Sequence, residues 1–396
     1  MGKHWRYLSA GLALALGACV QTLPPVPVPA PGPVAAGSEC RTAAAVIAFD
    51  FEGASASTCS VEGQRAFTVL ITPEHAPPIN PSPWYAFRYE SDGDAPVTVT
   101  LRYLGGAHRY TPKWSNDSAV SEPPVEVSED GKSATLRLPP GKGQVSAQEL
   151  ITAANHGADL RRWGAALGTL PFTLGQSLDG RPIEAIRLGS GDAPRLVVLL
   201  GRQHPPEVTG AIAMRAFVDE LVAMLARDPQ AFTDHQFLIV PLLNPDGVAR
   251  GHWRANRGAV DLNRDWGGFT QPETRVVKAW LDALPAPVRP VVMIDFHSTS
   301  RNLFYVQGDD EAGAEQQRFR AAWLDGRENA FPGYPFTIEP RNANPGSGTA
   351  KNWFHATYAI PAYTYEVADT ADRFATRDAA KHLAASLRSA LEKLKD

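Results

Sequence analysis

Three apolar, β-prone runs, Arg195 to Leu200, Phe237 to Leu243 and Val291 to Phe296, constrain this 396-residue chain more than any other feature. Short runs of this kind, bounded by loop-forming residues, read as strands buried on both faces. Glu207 to Leu225, between the first two, carries apolar residues at helical spacing. Strand, helix and strand in succession predict an α/β fold from about Ser146 onward, with a mixed or largely parallel central sheet flanked by helices. Ala371 to Leu394 reads as a closing amphipathic helix. At 44% hydrophobic residues, the chain can fill one large core and a second, smaller domain.

Polar residues of chemical interest fall where these strands end, which is where open α/β sheets build sites. His204-Pro205-Pro206-Glu207 follows the first strand and opens the helix. An imidazole and a carboxylate three residues apart at such a turn can converge on one divalent ion, although an exposed histidine and a helix-start glutamate explain the pair equally well. Asn244-Pro245-Asp246-Gly247 ends the second strand and leads to Trp253-Arg254 and Asp261-Leu262-Asn263-Arg264-Asp265-Trp266. The third strand delivers His297, followed by Ser298-Thr299-Ser300, and Tyr363-Thr364-Tyr365-Glu366 closes an aromatic β-prone run on a carboxylate. Asp295 shares a strand face with His297, two residues on, and its role stays open.

In their order and spacing these five segments resemble the M14 family of zinc carboxypeptidases, over roughly Ser146 to the C terminus. The resemblance implies one Zn2+ held by His204, Glu207 and His297, with Asp261 orienting His204. It makes Glu366 the carboxylate that takes a proton from the attacking water and returns it to the leaving amine. Arg254 would stabilise the oxyanion, and Asn263 with Arg264 would hold the free carboxylate of a peptide substrate, which makes the enzyme an exopeptidase. Two positions matter for specificity. Asn344 stands where the family carries a mobile active-site tyrosine. Lys351, fifteen residues before Glu366, stands at the base of the specificity pocket. An ammonium there favours an acidic terminal residue or the second carboxylate of diaminopimelate; the competing reading is a lysine in solvent.

The first half of the chain has another style. Lys3 and Arg6 precede an apolar run from Tyr7 to Leu16, the pattern of an export signal and too short to span a bilayer. Leu16-Gly17-Ala18-Cys19 resembles the bacterial lipobox, which implies removal of residues 1–18, acylation of Cys19 and a lipid-anchored protein of the cell envelope, facing the periplasm. Val20 after the cysteine fits outer-membrane sorting. Residues 19–39 are proline-rich and read as an extended tether. From 40 to 145, short runs such as Ala66 to Ile71 and Val97 to Tyr103 predict a small β-sandwich domain ahead of the catalytic domain, 146–396. Ser128 to Lys132 reads as a hairpin turn. A β-rich domain before the catalytic one resembles the cytosolic-type carboxypeptidases, a glutamate-trimming branch of M14. Cys40 and Cys59 pair if the compartment is oxidising; otherwise they are two buried thiols.

The formal charge of −4 grows more negative once Lys3 and Arg6 leave, so no nucleic-acid partner is expected. Peptides or muropeptides are the expected substrates, and the membrane is a partner through the anchor. Beside the peptide carboxypeptidase stand a murein peptidase releasing diaminopimelate, a zinc amidase or deacylase, and a non-catalytic peptide-binding lipoprotein.

Overall fold

The computed structural model describes residues 39–394 except 56–57, 77–79 and 341–346. The expected signal segment 1–18, Cys19, the tether up to residue 38, and Asn344 lie outside the described residues.

Residues 40–146 form two packed sheets. The strands are β1 (Cys40–Arg41), β2 (Ala45–Ala48), β3 (Thr58–Gly63), β4 (Ala66–Ile71), β5 (Ala86–Ser91), β6 (Val97–Tyr103), β7 (Lys113–Ser115), β8 (Val120–Ser121), β9 (Val125–Val127), β10 (Ser133–Leu138) and β11 (Gly141–Ser146). One sheet runs in the order β1-β2-β5-β11-β7-β8, the other β3-β4-β6-β10-β9. Alternation along each strand makes the sandwich. Val97, Val99, Leu101 and Tyr103 of β6 point inward with Phe67, Val69 and Ile71 of β4, while the residues between them face outward. A disulfide joins Cys40 of one sheet to Cys59 of the other. The turn at 128–132 links the antiparallel pair β9 and β10, and its Gly131 has φ +67°, a conformation that costs glycine little.

The α/β half follows with α1 (Ala153–Leu167), β12 (Phe172–Gln176), β13 (Pro182–Gly189), β14 (Arg195–Gly201), α2 (Val208–Arg227), β15 (His235–Val240), α3 (Pro245–Arg250), α4 (Pro272–Asp282), β16 (Arg289–Thr299), β17 (Leu303–Val306), α5 (Ala314–Trp323), β18 (Thr337–Pro340), α6 (Ala350–Tyr358), β19 (Ala362–Ala368) and α7 (Arg373–Leu391). Its eight-stranded sheet has the order β12-β13-β15-β14-β16-β19-β17-β18. β14, β15, β16 and β19 are parallel, with antiparallel pairings at β13 and β17, so the sheet is mixed. Side chains of α1, α2, α5 and α7 fill the core on one face, and those of α4 and α6 fill the other. The closing helix starts at Arg373 rather than Ala371 because the Asp372 carboxylate caps it, accepting from the Ala375 N–H at 2.8 Å.

The chain leaves β14 through α2 to reach β15 on one side, and β16 pairs with β14 on the other. Such a reversal opens a crevice at the carboxyl ends of the strands, and β14 and β16 deliver His204 and His297 there. The crevice is roofed in part by the β-rich half. Val208 and Ile212 of α2 and Trp253 belong to the same apolar cluster as the interior of the sandwich.

Candidate metal centre and active-site cavity

The loop after β14 takes an uncommon path. Arg202 has φ 53°, a left-handed conformation that a bulky residue adopts only when its surroundings impose it. Its buried guanidinium donates to the Pro205 carbonyl at 2.7 Å, which folds residues 202–205 into a tight turn and points His204 toward the crevice. Glu207 is the N-cap residue of α2, just ahead of its first turn.

His204, Glu207 and His297 are buried, and one ligating atom from each lies within 4.8 Å of the others. His204 Nδ1 is 2.7 Å from Glu207 Oε1, and His297 Nδ1 is 2.7 Å from Glu207 Oε2. The outward nitrogens face carboxylates: His204 Nε2 is 2.9 Å from Asp261 Oδ1, and His297 Nε2 is 2.6 Å from Asp295 Oδ2. In the form that binds a metal, both imidazoles are neutral, each Nε2–H donates to its aspartate, and each Nδ1 turns a lone pair toward Glu207. These facing acceptors need positive charge among them, which a bound cation supplies and which protons on the imidazoles otherwise provide. Two imidazoles and a carboxylate, with each imidazole backed by a second carboxylate, are the donor set of a catalytic zinc site. The residues therefore fit one zinc ion.

The charges around the cluster follow from this crowding. Burial pushes the Glu207 carboxyl up, but the two imidazoles outweigh it and hold the group well below the usual carboxylate range. Asp261 is likewise held low: His204 and Arg254 together overcome its burial. Burial works against the His297 cation, yet Asp295 and Glu207 raise its pKa well above the ordinary value.

Glu366 lies inside β19, two residues from its end, directly beside His297 in the parallel register with β16. One of its oxygens is buried and makes no hydrogen bond. Burial raises its pKa to about 7, with the Glu207 charge adding to the rise and His297 opposing it.

A cavity of about 410 Å³ brings Glu366 and the metal cluster together with Arg254, Asn263, Arg264 and Lys351. Arg254 Nε donates to Asp261 Oδ2 at 2.7 Å, so this aspartate couples the arginine to His204. Asn263 and Arg264 sit on a single 3₁₀ turn, 262–264, whose first residues are fixed by Asp261 accepting from the Asn263 N–H at 2.9 Å. The Asn263 Oδ1 accepts from the Ala350 N–H at 2.9 Å, tying this turn to the start of α6. Lys351, in the first turn of α6, is 1% exposed, and burial lowers its pKa to about 8, with Glu311 opposing. Of the two readings of this lysine, the structure gives the buried, cavity-lining one.

Several cavity residues carry no signal in the sequence. Asn80, Ser82 and Arg109 enter from the β-rich half, and Tyr305 and Thr364 from neighbouring strands β17 and β19. Arg109 pairs with Asp369 at 2.7 Å and donates to Ser82 Oγ at 2.8 Å, linking the two halves beside the cavity. Asp295 was foreseeable from strand parity alone. Its second anchor, the Gln203 amide donating at 2.5 Å, was not.

Known proteins resemble this arrangement at three levels. Residues 169–381 match the family described as zinc carboxypeptidase, Peptidase_M14. An uncharacterised protein of Zymomonas mobilis, ZMO1242, is 36% identical over 118 residues, which is 28% of this chain and 29% of that protein. Cytosolic carboxypeptidase 6 of Caenorhabditis elegans is 32% identical over 139 residues, 33% of this chain and 30% of that one. The chain thus spans under a third of the length of these curated relatives. In fold it is similar to a metallo-carboxypeptidase from Burkholderia cenocepacia, with TM-score 0.72 and 20% identity, covering 88% of this chain and 98% of that one. A metallo-carboxypeptidase from Pseudomonas aeruginosa, in complex with (2-guanidinoethylmercapto)succinic acid, gives TM-score 0.68 and 20% identity over 88% of this chain and all of that one. The family match extends over more than half of the sequence and contains the whole His204, Glu207, His297 and Glu366 constellation, and the chain belongs to the M14 zinc carboxypeptidase family.

Proposed function

We propose that this protein is a zinc-dependent carboxypeptidase that removes a single residue, preferably acidic, from the free C-terminal end of peptides. The observation that carries the reading is the meeting of Glu366, with its unpartnered buried oxygen, and the metal-ligand cluster in a cavity that also holds Arg254, Arg264 and Lys351. A bound zinc ion supplies Lewis acidity toward the scissile carbonyl and eases deprotonation of the attacking water. Glu366 accepts the proton that water loses and passes it to the leaving amine, a task suited to a carboxylate held in a dry site. Arg254, fixed through Nε by Asp261, offers its terminal amino groups to the oxyanion. Arg264 and Asn263 bind the terminal carboxylate of the substrate, since a guanidinium fork matches it in shape and charge. Lys351, drawn out of solvent, then pairs with the acidic side chain of the terminal residue.

Mass spectrometry of peptides ending in Glu or Leu, each with a free or an amidated C terminus, tests this. Loss of one residue from free-ended peptides, fastest with terminal Glu, is expected. Cleavage of the amidated peptides would show an amidase or deacylase instead. Release of diaminopimelate from muropeptides, with Glu-terminated peptides untouched, would move the substrate to the cell wall. The same proposal locates the enzyme at the cell envelope through Cys19. The sequence of residues 1–19 supports this, and so does the Cys40–Cys59 disulfide, which suits an oxidising compartment. Labelled palmitate should be incorporated, and Cys19→Ala should abolish incorporation.

A further inference from the structure

The segment that carries Arg254 is gripped from outside the α/β half. Glu74, in the loop after β4, accepts three successive backbone N–H groups: Trp253 at 2.8 Å through Oε2, and Arg254 at 3.0 Å and Ala255 at 2.6 Å through Oε1. The ring of Trp253 is sunk in the interior of the sandwich, and a Cβ on Gly106 would come within 3.1 Å of it. Successive amides turned to one point make a cradle for an anion, and a charged acceptor strengthens each bond about twofold over a neutral one. The peptide planes on both sides of Arg254 are thereby fixed, while its side chain is fixed at the other end by Asp261. Glu74 does not line the cavity.

We propose that Glu74 is a positioning residue for Arg254: the β-rich half sets where the guanidinium points, and so takes part in the reaction without touching substrate. This rests on the assignment of Arg254 to the oxyanion. A carboxylate that merely satisfied loop amides would affect stability and leave the orientation of the guanidinium unchanged. Misplacing a catalytic group by about 1 Å can cost on the order of a hundredfold in rate, which sets the scale of the effect.

The test compares Glu74→Ala, Glu74→Gln, Arg254→Ala and the Glu74→Ala/Arg254→Ala pair on a Glu-terminated peptide, with zinc content measured for each. Arginine-selective 15N NMR follows the Arg254 Nε–H in parallel. Glu74→Ala is expected to lower kcat roughly 10- to 100-fold, with KM within about twofold and zinc unchanged. The Arg254 Nε–H should lose its protection from exchange. Glu74→Gln keeps the shape and one acceptor oxygen, should fall between wild type and Ala, and carries the test if the alanine variant is insoluble. In the Arg254→Ala background, Glu74→Ala should cost nothing further. Equal slowing by Glu74→Ala in both backgrounds overturns the proposal, as does a protected Nε–H in the slow variant. Wild-type kcat in Arg254→Ala would refute the oxyanion assignment itself; the NMR signal then still decides whether Glu74 positions the side chain.

Discussion

Lys351 carries the proposed preference for an acidic terminal residue, and its burial sets the pH range over which it can do so. A lysine in water carries its charge to about pH 10.4, whereas this one, in the desolvated first turn of α6, loses it near pH 8. The ammonium form, present below that value, is the one that attracts a carboxylate. KM for a Glu-terminated peptide should therefore rise about tenfold between pH 7 and 9, and KM for a Leu-terminated peptide should not. Lys351→Met should abolish the preference for Glu over Leu at pH 7 and remove that rise; steady-state kinetics on the two peptides checks both. His204, Glu207, Asp261, His297 and Glu366 stood out in the sequence only together, through the order and spacing that resemble M14, since each is ordinary by itself. Lys351 was legible only by counting from Glu366, and its burial was not legible at all. Glu74 and Arg109 left no trace in the sequence, because what they touch lies about 180 and 260 residues away in the chain.

At the scale of elements, the site depends on how closely α2 approaches β16, since one bears Glu207 at its start and the other His297. Gly210 sets that distance. A Cβ at this position would lie 2.4 Å from the His297 carbonyl oxygen and 2.8 Å from its carbon. The Gly210 N–H also donates to Ser298 Oγ at 2.8 Å, so the first turn of the helix rests on the strand. Helix propensity alone favours alanine here by about 1 kcal/mol, but overpacking against backbone costs ~1–3 kcal/mol and wins. Gly210→Ala should lower stability by ~2 kcal/mol and weaken zinc binding; thermal unfolding and a competitive zinc chelator measure the two, and an unchanged zinc affinity would show that the helix can retreat without moving Glu207. Element types were readable from period and composition. Boundaries moved by a few residues where a cap decided them, as at Asp372, and strand order was beyond reach because non-local pairing leaves no periodic mark.

As a whole, the molecule is more unified than its two styles of sequence suggest. The sandwich core takes in Val208, Ile212 and Trp253, and across the join Arg109 pairs with Asp369 and Glu74 with the 253–255 backbone. Exposing those three side chains would cost roughly 5–8 kcal/mol, comparable with the net stability of a domain. A chain beginning at Ser146 should therefore aggregate or lack a cooperative thermal transition; a soluble, cooperatively unfolding fragment would show the α/β half to be independent. The change of style near Ser146 was legible, but this join was not, because Val208, Ile212 and Trp253 look like any helix or loop residues until the sandwich is laid against them. In the proposed mechanism one chain holds one zinc ion through His204, Glu207 and His297, and Glu366 moves the reaction's proton. Native mass spectrometry of Glu366→Gln mixed with a Glu-terminated peptide tests it most directly. A complex of one chain, one zinc and the intact peptide is expected, with no shortened product over hours during which the wild type consumes its substrate. A variant that carries no zinc, or that releases the terminal residue at the wild-type rate, would contradict it.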